Sequence, residues 1–243
     1  MKKNLIPVIL ITGLMILGVF LYNQDASKTG KSADNEIKIG IILGFTGPIE
    51  SLAPVMAKSA ELAIDEVNKS GNFMDGAQLM AVRADSTCVD AAAAQAAAER
   101  LITSDKVSAI MGADCSGVTT AVLKNVAIPN GILMISPSAT SPALSTEPDN
   151  DLFFRTAPSD ARQGEVIADL LMEKGFKTAA LTHTNNDYGK GLAASIKSNY
   201  EAKGGTITIS ASHEDGKGDY SSEVAALAQA SGDILIVAGY LDQ

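Results

Sequence analysis

Between Val107 and Pro142 two short apolar runs each break into a turn rich in Ser, Thr and Gly, and both turns carry groups suited to a small charged ligand. The first run, Val107 to Met111, reads as a buried strand bounded by Gly112. Ser116 follows at a helix N-cap position, ahead of the pattern Val118, Val122, Leu123, Val126. A helix N-terminus offers unpaired N–H groups and partial positive charge, so a carboxylate would sit there beside the Ser116 hydroxyl. The second run, Ile132 to Ile135, is a strand that ends in Ser136, Pro137, Ser138, Ala139 and Thr140, whose hydroxyls and free carbonyls suit an ammonium group. In an open α/β sheet ligands bind at the carboxyl ends of strands, and these two ends would carry complementary halves of a zwitterion site. Taken singly, Ser and Thr after strands also serve as ordinary caps and turns.

The elements that must position these turns alternate along the chain. Glu36 to Gly44 reads as a strand, Phe45-Thr46-Gly47-Pro48 as a turn, and about Ser51 to Lys69 as a helix with Leu52, Val55, Met56, Leu62, Ala63 and Val67 on its apolar face. A strand over Gln78 to Asp85 and an alanine-rich helix over Asp90 to Thr103 lead into the two central strands. Ser136 to Asn150 is a polar loop, and together with Asp151 to Thr156 it reads as the crossover into a second lobe. Beyond it the alternation resumes: a helix from Asp160 to Lys174, a strand from Thr178 to His183, a helix from about Gly189 to Lys203, a strand from Thr206 to Ser210, a helix from Ser221 to Ala230, and a strand from Ile234 to Ala238. Strands alternating with helices predict parallel β-α-β units, hence an α/β protein of two lobes. No GxGxxG follows any predicted strand, so no nicotinamide cofactor is implied, and no cofactor of any other kind.

Composition narrows the function classes. The 243 residues are 46% apolar and carry a net charge of -9 with no basic stripe, which argues against nucleic acid as a partner. Trp is absent, so recognition by stacked rings would rest on a few residues, Tyr188 and Tyr240 foremost. Tyr240 follows a strand and Gly239 and is expected to face the cleft, whereas Tyr188 alone reads equally as a loop residue packed on its own helix. Asp160 on its own reads as a helix cap.

At the N-terminus Lys2 and Lys3 precede the apolar run Leu5 to Tyr22, after which the chain turns polar at once. That pattern is an export signal or a retained membrane anchor, followed by a tether to Asn35. Export places Cys88 and Cys115 in an oxidising compartment, where a single pair is most simply a disulfide, worth about 3.6 kcal/mol by loop entropy. The alternatives are weaker. A metal site lacks nearby histidines, and Cys115 as nucleophile has no His near it in sequence. Ser116 and Ser138 lie outside any GxSxG, and His183 and His213 stand in no triad setting, so the chain is not expected to be an enzyme.

Taken in order, EIKIGIILGFTGP, the helix ending IDEVNKSG, the Cys88 and Cys115 pair, DCSG, GILMISPSATSP, LFFRT, NNDYGKGLA and VAGY resemble the leucine/isoleucine/valine-binding proteins, the substrate-binding components of ATP-driven amino-acid uptake systems. The resemblance runs from Glu36 to Gln243. It implies a type I periplasmic-binding-protein fold: two Rossmann-like lobes with parallel sheets, closing by a hinge over an amino acid. It divides the chain into a signal or anchor with its tether (1–35), an N-terminal ligand-binding lobe (36–150) and a partial C-terminal lobe (151–243). It further implies that Ser116 takes the carboxylate, that Thr140 and a carbonyl of the Ser138-Ala139 turn hold the ammonium, and that Tyr188 and Tyr240 cover the ligand. Asp160 matches an acidic position at the mouth of the cleft. The implied protein is an exported monomer, periplasmic or extracellular, that delivers a branched-chain or related amino acid to the membrane subunits of an ABC permease. A retained anchor would make it a membrane-held sensor instead. Leu52 stands where several relatives have Tyr, and Ser138 where Ala is common. Relatives are also longer, so the second lobe is expected to be incomplete, with the acidic partner of the ammonium beyond Gln243.

Overall fold

The computed structural model describes residues 35–240. The Leu5 to Tyr22 segment and its tether lie outside the described residues. The chain builds two parallel sheets in succession. The first contains β1 (Glu36–Leu43), β2 (Gln78–Asp85), β3 (Ala109–Gly112), β4 (Leu133–Ser136) and β5 (Phe153–Arg155), in the order β2-β1-β3-β4-β5. The second contains β6 (Thr178–Thr184), β7 (Thr206–His213) and β8 (Ile234–Ala238), in the order β7-β6-β8.

Helices cover both faces of the first sheet, which is why the inner half of β1, GIIL, is continuously apolar rather than alternating. Helices α2 (Ala91–Thr103) and α3 (Ser116–Val122) bury Ala94, Ala98, Leu101, Val118 and Val122 against Ile42, Ile110 and Met134. Beyond Val122 the helix widens into a π turn over Leu123–Ala127 and closes with Ile128–Asn130. Pro129 has no N–H to offer the preceding turn, and the wider turn accommodates that loss. On the opposite face α1 (Ala53–Ser70) packs Ala53 and Ala57, with Ala60 and Ile64, onto Ile41 and Leu43. This corrects the expected apolar face: Leu52, Val55 and Leu62 are 45%, 65% and 57% exposed, because the helix approaches the sheet on its small residues. Near the far end of the same face Ile135 and Phe154 are exposed neighbours in register on β4 and β5.

A second correction concerns Asp151 to Thr156, expected to belong to the crossover. Its apolar residues instead pair in parallel with β4, Met134 with Phe153 and Ser136 with Arg155, so the first sheet extends through Arg155. The described chain then passes to the second lobe through residues 156–159 and enters α4 (Asp160–Glu173). There α4 and α5 (Asp187–Ala202) bury Ala168, Leu171 and Tyr200 against Ala179 on one face of the sheet. The other face carries α6 (Ser221–Ala230), beside which Leu235 and Val237 of β8 remain exposed. Strand β7 runs on to His213, past the expected Ser210, because its alternating residues stay in register with β6 up to the Thr184–His213 pair.

Gly112 ends β3 with φ +128°, and a Cβ there would lie 2.0 Å from the Ile42 carbonyl oxygen, so only glycine lets β3 run this close to β1 before turning toward the cleft.

Candidate functional site

At the carboxyl end of the first sheet one buried carboxylate ties together the loops after β1, β2 and β3, and the loop after β4 joins them through the backbone carbonyl of the same residue. Asp114 accepts from the Gly44 N–H at 2.7 Å, the Ser86 hydroxyl at 3.1 Å and the Cys115 N–H at 3.1 Å. Burial pushes its carboxyl up, and those three donors pull it back toward ionisation. Cys115 is bonded to Cys88 across a Cα–Cα distance of 5.2 Å, which removes both the nucleophile and the metal-ligand readings of these sulfurs. The disulfide links the loop after β2 to the start of α3.

Ser116 is not the cap of α3. Cys115 holds the N-cap position with extended backbone, and Ser116 is the first helical residue. The Ser116 hydroxyl is drawn instead into a long-range contact, accepting from the Ser141 N–H at 3.1 Å. Its own O–H remains available to an incoming oxygen, beside the unpaired N–H groups of the first turn.

The turn after β4 is fixed from several sides. Ser136 donates to the Ala113 carbonyl at 2.5 Å and accepts from the Ala139 N–H at 2.9 Å, while Ser138 donates to the Asp114 carbonyl at 2.9 Å. The carbonyls of Ser136, Ala139, Thr140 and Ser141 accept from Thr156, Arg155, Asp160 and Arg155 respectively. None of these donors reaches the Ser138 carbonyl. Ala139 is fully buried in the first-lobe core, and its carbonyl already receives the Arg155 guanidinium.

From the second lobe, Ser159 caps α4 by accepting from the Ala161 N–H at 3.2 Å, so the cap reading of Asp160 does not hold. Asp160 is 0% exposed, and neither carboxyl oxygen has a hydrogen-bond partner. Burial pushes this carboxyl above the ordinary aspartate range. The neighbouring Thr140 hydroxyl and Arg155 guanidinium favour ionisation without closing a bond on either oxygen. Tyr188 and Tyr240 stack with ring centroids 5.4 Å apart and an interplanar angle of 27°. Asn186 caps α5 by accepting from the Gly189 N–H at 3.1 Å and donates to the Tyr240 hydroxyl at 3.2 Å, so one side chain sets the start of the helix and the ring. Burial raises both phenols, and the Asp160 charge adds to the effect at Tyr188.

These groups surround a cavity of about 400 Å³ between the lobes, lined among others by Ser116, Ser138, Thr140, Tyr188 and Tyr240. Ala139 and Asp160 sit behind that lining. Sequence reasoning missed the apolar wall of the cavity, Ile49, Val55 and Met56, and the exposed Gln163 opposite. Ile49, Leu52 and Met56 recur at the spacing of core positions, so the pattern that could have revealed the wall points equally to ordinary packing. Among the described residues no group of three or more His, Cys, Asp and Glu side chains could hold a metal ion.

Two parallel α/β lobes with polar loops and buried charge at their shared cleft define a two-lobed binding protein. Residues 36–243 match the family model described as periplasmic binding protein, and the chain belongs to that family. Its members are solute-binding proteins rather than enzymes. The Leucine-, isoleucine-, valine-, threonine-, and alanine-binding protein of Pseudomonas aeruginosa is 32% identical over 209 residues, covering 86% of this chain and 55% of that protein. Leu/Ile/Val-binding protein homolog 3 of Brucella melitensis is 32% identical over 206 residues, covering 84% and 55%. Among solved structures, the branched-chain amino acid transporter substrate binding protein LivJ of Streptococcus pneumoniae, in complex with isoleucine, superposes with a TM-score of 0.72 at 32% identity, covering 83% of this chain and 56% of that one. The leucine binding protein LivK of Thermotoga maritima shares the fold with a TM-score of 0.75 at 24% identity, covering 83% and 55%. The chain thus spans about 55% of the length of the curated relatives it matches.

Proposed function

We propose that this protein binds an amino acid, branched-chain or related, in the cleft between its lobes and, as an exported periplasmic monomer, delivers it to the membrane subunits of an ABC permease. The observation that carries the reading is the pairing of opposite charge preferences across one cavity: the start of α3 with the Ser116 hydroxyl on one side, Thr140 on the other, with the buried Asp160 carboxyl behind the lining. The α-carboxylate would receive the Ser116 O–H and the N–H groups of the first helical turn. The ammonium would donate to the Ser138 carbonyl and the Thr140 hydroxyl, with the buried Asp160 carboxyl behind them supplying negative charge from beyond the lining. The side chain would lie along Ile49, Leu52, Val55 and Met56, with Tyr188 and Tyr240 closing over it. No bond is made or broken. Contacts to both lobes favour the closed arrangement, and closure is the state a permease would read.

A thermal-shift screen of the full chain against the common amino acids and their deaminated analogues tests this. A rise in Tm with a set of amino acids, absent for analogues lacking the amine, supports the reading, since a ligand of the folded state must raise Tm by mass action. A folded protein that responds to none of them rejects it.

A further inference from the structure

Arg155 is the last residue of β5, where the chain leaves the first lobe for the second, and its side chain turns back toward the turn that carries Thr140. Its Nη1 donates to the Ala139 carbonyl at 3.2 Å and to the Ser141 carbonyl at 2.8 Å, and its Nη2 donates to the Ser145 hydroxyl. The two carbonyls flank Thr140 on either side, so Nη1 clasps the turn at both shoulders while Nη2 holds Ser145 beyond it, a fork that a guanidinium supplies and a single ammonium nitrogen does not. Asp160 is bound to the same turn through its N–H, which donates to the Thr140 carbonyl at 2.9 Å. Its carboxyl lies within electrostatic reach of Arg155, yet no ion pair closes between them. The guanidinium is held off by the carbonyls it already serves. A buried carboxyl therefore lies in the field of a cation with no ion pair closed between them.

We propose that Arg155 is a positioning residue for ligand binding: its guanidinium fixes the Ala139–Ser141 turn and sets a cation beside the buried Asp160 carboxyl bound to that same turn. The proposal rests on the reading of Thr140 and Asp160 as the ammonium side of the site. The titratable groups that face Asp160 are Arg155 from β5 and Tyr188 from α5. On its own helix Arg162 pairs with Glu165, both side chains largely exposed. Burial pushes the Asp160 carboxyl up, and the Thr140 hydroxyl and then the Arg155 charge pull it back. Tyr188, its phenol raised by burial and by the Asp160 charge, is neutral near pH 7, so the cation among these groups is Arg155.

Carbon-13 NMR titration of the Asp160 carboxyl in the full-length protein, assigned with Asp160→Asn, reads this without any ligand. Arg155→Met is expected to move the titration midpoint upward, and Arg155→Lys, which restores the charge, to bring most of it back. If Arg155→Met does not fold, Arg155→Gln supplies a second neutral variant. An unmoved midpoint in a folded neutral variant overturns the proposal, as does failure of both neutral variants to fold, which would make the arginine purely structural. With an amino acid that binds the wild type, the pH below which affinity declines should rise in the neutral variant as the midpoint does. Arg155→Lys should recover that profile but not the full affinity, because one ammonium nitrogen cannot serve the turn and Ser145 together. If no amino acid binds the wild type, the functional reading fails while the titration still decides the role of Arg155.

Discussion

Gly191 of α5 lies against Pro142 of the first lobe so closely that a Cβ on the glycine would stand 2.9 Å from the proline Cδ and 3.2 Å from the Ser141 hydroxyl. This is a point where the two lobes touch, next to the turn that bears Thr140. Gly191→Ala should therefore oppose the present lobe arrangement, costing about 1–3 kcal/mol of ligand affinity, while each lobe keeps its own core. Calorimetric titration with a bound amino acid measures the first effect, and small-angle scattering the lobe arrangement. Equal affinity in both proteins would mean that closure does not pass through this contact.

Thr140→Val removes a hydroxyl from the ammonium side of the site without changing its shape. Binding should weaken by more than about 1 kcal/mol, since the lost hydrogen bond is to a charged group, and circular dichroism should stay that of the wild type. Unchanged affinity would take Thr140 out of the site.

The Cys88–Cys115 bond closes a sequence separation of 27 residues. Replacing both cysteines by serine should cost about 3.6 kcal/mol of folding stability, a fall in Tm of roughly 10 °C for a chain of this size. Because the bond anchors the start of α3 beside Ser116 to the loop after β2, ligand affinity should fall as well. A double variant with wild-type Tm and affinity would show that the bond constrains neither.

Burial raises the Asp160 carboxyl above its ordinary value, so the folded protein holds this proton more tightly than the unfolded chain does. The associated stability is complete below the ordinary aspartate range and is lost as pH rises through the raised folded value. Asp160→Asn cannot ionise. It should exceed the wild type in urea denaturation at about pH 7 by about 1–3 kcal/mol, the cost of an unpaired buried group, and the advantage should vanish toward about pH 4. The same variant should bind amino acids poorly. A stability difference independent of pH would show that Asp160 carries no such cost.

Local pattern was enough for β2, α6 and β8, whose sequence-predicted ranges coincide with the folded elements, because alternation and turn residues bound them on both sides. It pointed also to the loops bearing Ser116, Ser138 and Thr140, which line one cavity with Tyr240 and with Tyr188, a residue that only the family resemblance, not local pattern, assigned there. It failed where a distant partner decides. The Ser116 hydroxyl is claimed by the Ser141 N–H, 25 residues away, and a disulfide-linked cysteine takes the cap. Asp160 has the chemistry of a cap but loses the position to Ser159, and what remains is a buried charge that no local rule predicts. In α1 the spacing of Val55 and Leu62 suggested a core face. Ala53 and Ala57 won it because smaller side chains allow a closer approach to β1.

The exposure of Leu52 and Val55 has a consequence for how such a protein changes over generations. Both face the cavity and neither supports the core beneath α1, so substitutions there alter what the cleft accepts at little cost in folding. On the proposed reading the charged ends of a ligand meet turns locked into the sheet, whereas its variable part meets a wall of which Leu52 and Val55 are free of the core. Selection can therefore retune the ligand range by single replacements without first acquiring spare stability to absorb them.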